Sequence, residues 1–412
     1  MPQQRITNEG VSPNPVIVCN CHYNGLAILQ ELGHRGIPCI AADCRREIGT
    51  FSRYAKFKKV PSPVSDERGF VDTIINIAKS LPKKPVIFPT NDEWAMALSR
   101  YRDELQEVAI PLVSDFEAIR EVLDKRRFYK FGEEQGYPTP KIYDPHEALR
   151  EDGKISFPVV IKPGIRRFSA GEDEGGFTFP ADLRFNIIEN KEELRTFLSQ
   201  WESYRDYLFI SEYIPGMSDT NITVGIYSDH NSRIQKISTS RKVRGYPADS
   251  GTWVMAKSEP VPEELIRISR KICTNLKLFG VCEIEFKQHS GTGDYYLIEI
   301  NPRSWAFIGL TPLSGVNLPL AAYQDVTGIK LTEVSDFQQD DIYFGKITED
   351  LINCTLRYKR EYPEWHYSLN QWRNFYRRNQ VYSAEFHYPD YPVWGVVLVK
   401  ILRNLWKALR GK

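Results

Sequence analysis

From residue 15 the chain alternates short apolar runs with longer amphipathic stretches. "PVIVCN" (15–20) is followed by "GLAILQELGHRG", whose apolar positions recur at helical spacing up to a glycine stop, and then by a second apolar run, "IPCIAAD". That order predicts a βαβ unit. A further run, "PVIFPT", follows the helix-like "FVDTIINIAKSL", and "NDEWAMALSRYRDEL" returns to helical spacing. Residues 1–120 therefore read as an open parallel α/β domain.

The character changes near residue 121. "EVLDKRRFYKFGEEQGYPTP" reads as a helix with a capping glycine and a proline stop, and "FPVVIKPG" as a strand that ends in lysine. A polar, glycine-bearing stretch, "GIRRFSAGEDEGGF", and a helix, "NKEELRTFLSQW", come next. The strand "YLFISEYIPG" leads into β-rich segments through "TNITVGIYSD" and "RIQKISTSRKVRGY". A helix over 262–278 then precedes the hairpin "GVCEIEFKQHSGTGDYYLIEINPR". This second region, 121–330, is α+β, and no internal repeat runs through the chain.

Composition narrows the function classes. The 412 residues are 42% hydrophobic and 26% charged, enough for a large core in two or three domains. A formal net charge of +1 argues against a whole-surface field of the kind that gathers nucleic acid. The opening "MPQQRITNEGVSPNP" has no apolar core of a signal peptide, and no stretch holds eighteen consecutive apolar residues, so a cytoplasmic protein is expected. Seven cysteines are an odd number spread over a long chain, and Cys19, Cys21, Cys39 and Cys44 lack the CxxC spacing of a zinc knuckle. His22, His34 and His289 have no carboxylate or cysteine at ligand or triad spacing and read as loop or surface residues.

The hairpin carries the chemistry. Alternation along "YYLIEINPRSW" is expected to put Tyr295, Leu297, Glu299 and Asn301 on one face and Tyr296, Ile298 and Ile300 on the other. Counting outward from the turn "HSGTGD" sets Glu285 near Glu299, with Glu283 in phase as an alternative ligand. Two carboxylates and an amide oxygen on one small surface repel unless one takes a proton or a hard divalent cation joins them, and Mg2+ is the natural occupant, with Mn2+ able to replace it. Upstream, Lys125 opens an amphipathic helix and Lys162 ends an apolar strand before a glycine-bearing loop; a lysine after "VVI" is costly near a core without an anionic partner. Together these groups suggest a polyphosphate held between lysines and metal.

The ordered set "DKRRFYKFGEEQGYPTP", "FPVVIKP", "FISEYIPG", "GVCEIEFK" and "LIEINPR" resembles the ATP-grasp superfamily of ATP-dependent carboxylate–amine ligases. "NGLAILQELGHRGIPCIAAD", "FSRYAKF", "FPTNDE" and "SRKVRGYPADSG" resemble one branch, the predicted ATP-dependent carboligases to which D-aspartate ligase is similar; the likeness covers about 16–330. The resemblance implies a pre-ATP-grasp α/β domain over 1–120, a two-lobed ATP-grasp domain over 121–330, with lobes near 121–208 and 209–330, and a C-terminal extension over 331–412. It implies that Lys125 and Lys162 contact ATP phosphates, and that Glu212, Tyr213 and Ile214 form the hinge whose backbone holds adenine. Glu285, Glu299 and Asn301 would bind Mg2+, Arg303 would steady the phosphate or an acyl phosphate, and Lys242 and Arg244 would face the cleft and the substrate carboxylate or its phosphate. Substrate selection is expected around Asn24, Arg53, Asn91, Asp92 and Glu93. The phosphate-covering loop "GIRRFSAGEDEGGFTF" is longer and more charged than the family's usual form, its 166–177 segment is expected to act as a mobile lid, and Arg184 stands where relatives often carry lysine.

These residues imply an enzyme that activates a small-molecule carboxylate with ATP and joins it to an amine. The alternative is a noncatalytic ATP-binding module. A dinucleotide-dependent oxidoreductase fails because "CNCHYNGLA" lacks the spaced glycines that bring a helix N-terminus against pyrophosphate. The tail from 355 is aromatic and basic, with eleven Lys or Arg against four acids. On a helical wheel, Trp394, Val397, Leu398, Ile401, Leu402, Leu405, Trp406 and Leu409 of 392–412 share one arc, opposite Lys400, Arg403, Asn404, Lys407 and Arg410. The pattern leaves two readings open: a terminal helix packed on the body, or an interfacial helix in peripheral contact with anionic lipid.

Overall fold

A computed structural model describes residues 12–150, 155–164, 180, 183, 185–249 and 251–409, with side chains described through residue 402. The phosphate-covering loop from residue 165 onward, including the lid segment 166–177, and Arg184 lie outside these residues.

The first sheet has five parallel strands in the spatial order Ala55–Lys59, Cys39–Asp43, Val16–Cys19, Val86–Pro89 and Ile110–Pro111. Its central strand is apolar at every position because both faces are covered: Val16 and Val18 pack into one core, Ile17 and Cys19 into another. The helix Tyr23–His34 follows the first strand, and the helix Asp92–Arg100, capped by Asn91, follows the fourth. The core that holds Val16 and Val18 continues through Trp253, Phe307 and Phe344, so this domain shares its interior with the second half of the chain.

Two further sheets follow, the smaller antiparallel and the larger antiparallel except for its last pair, Ile342–Gly345 with Gln380–Ser383, which is parallel. The smaller has the order Ile142–Tyr143, Leu208–Glu212, Val159–Pro163 and Asn186–Ile188. The larger has seven strands, in the order Tyr295–Asn301, Gly280–Gln288, Asn221–Ser228, Ile234–Tyr246, Thr252–Ser258, Ile342–Gly345 and Gln380–Ser383. The lobe boundary expected at 208/209 cuts a strand that the structure keeps whole, because Leu208–Glu212 pairs with Val159–Pro163 and belongs to the first lobe. The extension beyond 330 is joined to the second lobe, since two of its strands complete that sheet.

Two bulges correct the alternation read from sequence. Glu285 faces Glu299 as expected, but the next pair is Phe286 with Leu297, so Ile298 is an extra residue. Leu297 therefore turns into the core with Ile300, and Tyr295 packs against that core, while Ile298 and Glu299 face the cleft. The second bulge lies where Lys242 pairs with Ala256 and Arg244 with Met255, leaving Val243 unmatched. Lys242 and Arg244 consequently leave the strand on opposite sides, and Arg244 does not reach the cleft.

Arg244 is instead buried against the extension. Its Nε and one terminal nitrogen donate to the two oxygens of Asp350, at 2.5 and 3.1 Å, and its guanidinium lies 4.4 Å from the centre of the Phe375 ring. Trp372 Nε1 and the Tyr376 hydroxyl each donate to Asp350 Oδ2 at 2.9 Å. At the C-terminus the helix Tyr391–Leu409 packs on the body through Val393 and Val397, which meet Leu26, while Leu398, Val399 and Leu402 stay exposed. The apolar arc of this helix is wider than the face the body covers. Among the described residues no helix is long and apolar enough to cross a membrane.

Removing Asp350 should leave a buried guanidinium without its counterion. Asp350→Ala is expected to lower unfolding stability by about 3–5 kcal/mol, read as a shift of the urea midpoint. A loss below about 1 kcal/mol would mean that the pair does not hold the extension to the sheet.

Candidate active site

The cleft, about 350 Å³, opens between the small sheet and the large one. Lys162, Glu212, Tyr213 and Ile214 line it from the first lobe, and Lys242, Glu285, Glu299, Asn301 and Arg303 from the second. Of the sequence-predicted residues, Lys125 is buried beside this wall and Arg244 is turned away from it. The rest converge.

The carboxylate hairpin is held by a chain of donors. Glu285 stands opposite Glu299, and Glu283 opposite Asn301. From the neighbouring strand, Asn221 Nδ2 donates to Glu285 Oε1 at 2.6 Å, and the Thr223 hydroxyl to Glu283 Oε1 at 2.7 Å. Asn301 Nδ2 donates to Glu283 Oε2 at 2.9 Å, and Arg303 donates to Asn301 Oδ1 at 2.8 Å. Arg303 Nε reaches Asp92 Oδ1 at 2.7 Å, tying the site to the first domain. Glu299 is paired with the Lys125 ammonium.

Lys125 owes its place to the helix it opens. Asp124 caps that helix, its Oδ1 accepting from Arg126 N at 2.9 Å, and the Lys125 N–H donates to Gly164 O at 2.8 Å. A lysine in a first helical turn meets the positive end of the helix dipole, and Glu299 offsets that repulsion. Lys162 projects from its strand with its ammonium 5.7 Å from the Phe209 ring centre. At the hinge, Tyr213 N donates to Pro158 O at 3.3 Å.

The electrostatics separate the three glutamates. Burial, reinforced by the nearby Glu285 carboxylate, pushes Glu283 well above the usual carboxylate range, with the Thr223 hydroxyl working against the shift. A carboxyl that holds its proton and is bonded on both oxygens is a poor metal ligand. Glu285 is bonded on one oxygen by Asn221, Glu299 is paired with Lys125, and Asn301 Oδ1 accepts from Arg303, so a hard cation here would compete with Lys125 and Arg303. Among the described residues no three His, Cys, Asp or Glu side chains form a ready metal cluster, in keeping with Glu299 resting on Lys125.

Lys287 was missed at the level of sequence, although "EIEFK" carries the signal: it lies in phase with Glu283 and Glu285 on an unbulged strand. It lines the cleft, with its ammonium 5.6 Å from the Tyr213 ring centre. Burial lowers it to about 8, and the Glu285 carboxylate opposes that shift. The residues expected to select substrate serve the scaffold instead. Asn24 donates to Thr90 O and Ser304 O, Asn91 caps a helix, Asp92 holds Arg303, and Arg53 meets Pro389 and Asp390. None of these four, nor Glu93, lines the cleft.

Residues 208–344 match the family model described as "ATP-grasp in the biosynthetic pathway with Ter operon". D-aspartate ligase of Enterococcus faecium (strain Aus0004) is 24% identical over 271 residues, covering 62% of this chain and 63% of that protein. The chain thus spans under two thirds of the length of this relative. Among solved structures, a biotin carboxylase–β,γ-ATP complex from Campylobacter jejuni aligns with a TM-score of 0.59 and 16% identity, over 80% of this chain and 74% of that one. L-amino acid ligase from Bacillus licheniformis aligns at 0.56 and 14%, over 81% and 79%. At these identities the solved structures establish a shared fold.

A lysine displaced by burial should be visible on its own. In a 13C-lysine NMR titration of the free protein, one side chain is expected to titrate near pH 8, to vanish in Lys287→Gln, and to move to still lower pH in Glu285→Gln, where its supporting anion is gone. Titration of Lys287 above about 10, the range of a free lysine, would contradict the site's electrostatics.

Proposed function

We propose that this chain, a member of the ATP-grasp superfamily on a branch similar to D-aspartate ligase, is an ADP-forming carboxylate–amine ligase. The observation that carries the reading is the Glu285–Glu299 pair with Asn301 beside it, on the same cleft as Lys162 and Lys242 and next to Lys125. Anions on one wall and cations around them suit a magnesium–polyphosphate ligand.

The proposed reaction has two steps. A substrate carboxylate oxygen attacks the γ-phosphorus of ATP, the bond to ADP breaks, and an acyl phosphate forms. An amine nitrogen then attacks the acyl carbon, a C–N bond forms, the C–O bond to phosphate breaks, and the amine loses a proton. Phosphorylation is needed because a carboxylate has only oxide to expel at neutral pH. Mg2+ held by Glu285, Glu299 and Asn301 would supply charge neutralisation on the phosphates.

The chain's own residues position and neutralise. Lys125 and Lys162 take phosphate oxygens, and the backbone of Glu212, Tyr213 and Ile214 borders the adenine. Arg303, oriented by Asp92 and Asn301, steadies the phosphate that leaves the acyl carbon, and Lys242 faces the substrate carboxylate. Arg244 has no part in this set. The carboxylate is that of an amino acid or another small metabolite. The reaction belongs in the cytoplasm, where ATP is abundant, and exposed Leu398, Val399 and Leu402 beside Lys400 support a peripheral contact with anionic lipid.

ADP release in the presence of ATP, Mg2+ and a panel of carboxylate and amine pairs tests the proposal. One pair is expected to stimulate release, and Glu299→Gln to reduce it by at least about 100-fold while the protein stays folded. Tight ADP binding with no stimulated release by any pair would favour the noncatalytic nucleotide-binding module instead.

A further inference from the structure

A second cavity, of about 610 Å³, lies between the first domain and the C-terminal extension. It shares no lining residue with the cleft. Tyr23, which lines the cavity, meets Trp253 of the cleft in a T-shaped contact at 6.3 Å, so a wall of aromatic side chains separates the two.

Its charges are unequally satisfied. Each acid on the wall has a partner: Glu47 pairs with Arg45 at 2.6 Å, Glu349 with Lys346 at 2.8 Å, and buried Glu385 accepts from Ile347 N at 3.0 Å and the Thr348 hydroxyl at 2.8 Å. The three cations have no carboxylate partner among the described residues. Arg46 donates to Thr50 O at 3.0 Å and lies against the Phe51 and Phe57 rings. Arg357 donates to Asn353 Oδ1 at 3.1 Å and lies over Tyr246. Lys400 projects into the same space from the terminal helix. Three segments far apart in sequence thus each place a cationic side chain on the wall of one cavity, beside the three partnered acids.

Much of the remaining wall is apolar, with Ile48, Phe51, Ile352, Val396, Val397 and Ile401 beside the polar His22 and Thr348. Most of these side chains are only half-buried, so they keep apolar surface that a ligand would cover. The volume falls within the range of small-molecule sites, which pair an apolar lining with a few convergent polar groups. We propose that this cavity is a second ligand site, one that takes an anionic amphiphile with its acidic head among Arg46, Arg357 and Lys400 and its apolar part against Phe51 and Val397. This goes beyond the ligase reading and does not depend on it, because no cleft residue takes part.

The probe is hexyl phosphate, titrated calorimetrically into the full chain, with inorganic phosphate as the control for the head alone. Hexyl phosphate is expected to bind at least about tenfold more tightly than inorganic phosphate. The double variant Arg357→Gln/Lys400→Gln, both on exposed side chains, should weaken it by about tenfold or more. Cosedimentation with phosphatidylglycerol vesicles, lost in the same variant, would identify a bilayer as the source of the ligand; hexyl phosphate binding without vesicle binding would identify a soluble amphiphile. Absence of hexyl phosphate binding, binding no tighter than that of inorganic phosphate, or binding unchanged in the double variant would overturn the proposal.

Discussion

Two glutamates face one another across an antiparallel pair, and that contact cannot stand without neutralisation. Glu285 and Glu299 occupy matched positions on neighbouring strands, where like charges repel. The surroundings answer this. Asn221 donates to Glu285, Lys125, at the start of a helix packed on the large sheet, pairs with Glu299, and Arg303 reaches back to Asp92 on the first domain. These contacts bring the first domain, the helix opened by Lys125 and the large sheet together at one cluster of charges.

The same constraint accounts for the roles of the neighbouring side chains. Glu283 sits deeper than Glu285, is bonded by Thr223 and Asn301, and is driven toward its neutral form. Lys287 is driven the same way from the opposite sign. Burial thus favours the neutral carboxyl of Glu283, while Lys287, lowered to about 8, keeps most of its charge at neutral pH; at Glu299, Lys125 is the partner that a divalent cation would displace.

Much of this was legible in the residues. The turn "HSGTGD" fixed the pairing of Glu285 with Glu299, and the lysine after "VVI" marked Lys162, because both depend only on local counting. Lys287 was equally legible by parity. What stayed hidden depends on bulges and long-range packing. Nothing in "YYLIEINPR" announces the extra residue at Ile298 that sends Leu297 to the core, and nothing in "SRKVRGY" announces the one at Val243 that sends Arg244 to Asp350, more than a hundred residues away. For the same reason the extension, which looks like a separate tail by composition, proves to carry two strands of the large sheet. The terminal helix was half legible: its amphipathic pattern was plain, but which side the body would cover was not.

A cation site formed by Glu285, Glu299 and Asn301 to serve a nucleotide, as proposed, would show itself in calorimetric titration of ADP with and without Mg2+. Binding is expected to be at least about tenfold tighter with Mg2+, and that gain to be lost in Glu285→Gln with Mg2+-free binding little changed. ADP affinity that is the same with and without Mg2+, or a gain that survives the substitution, would contradict it.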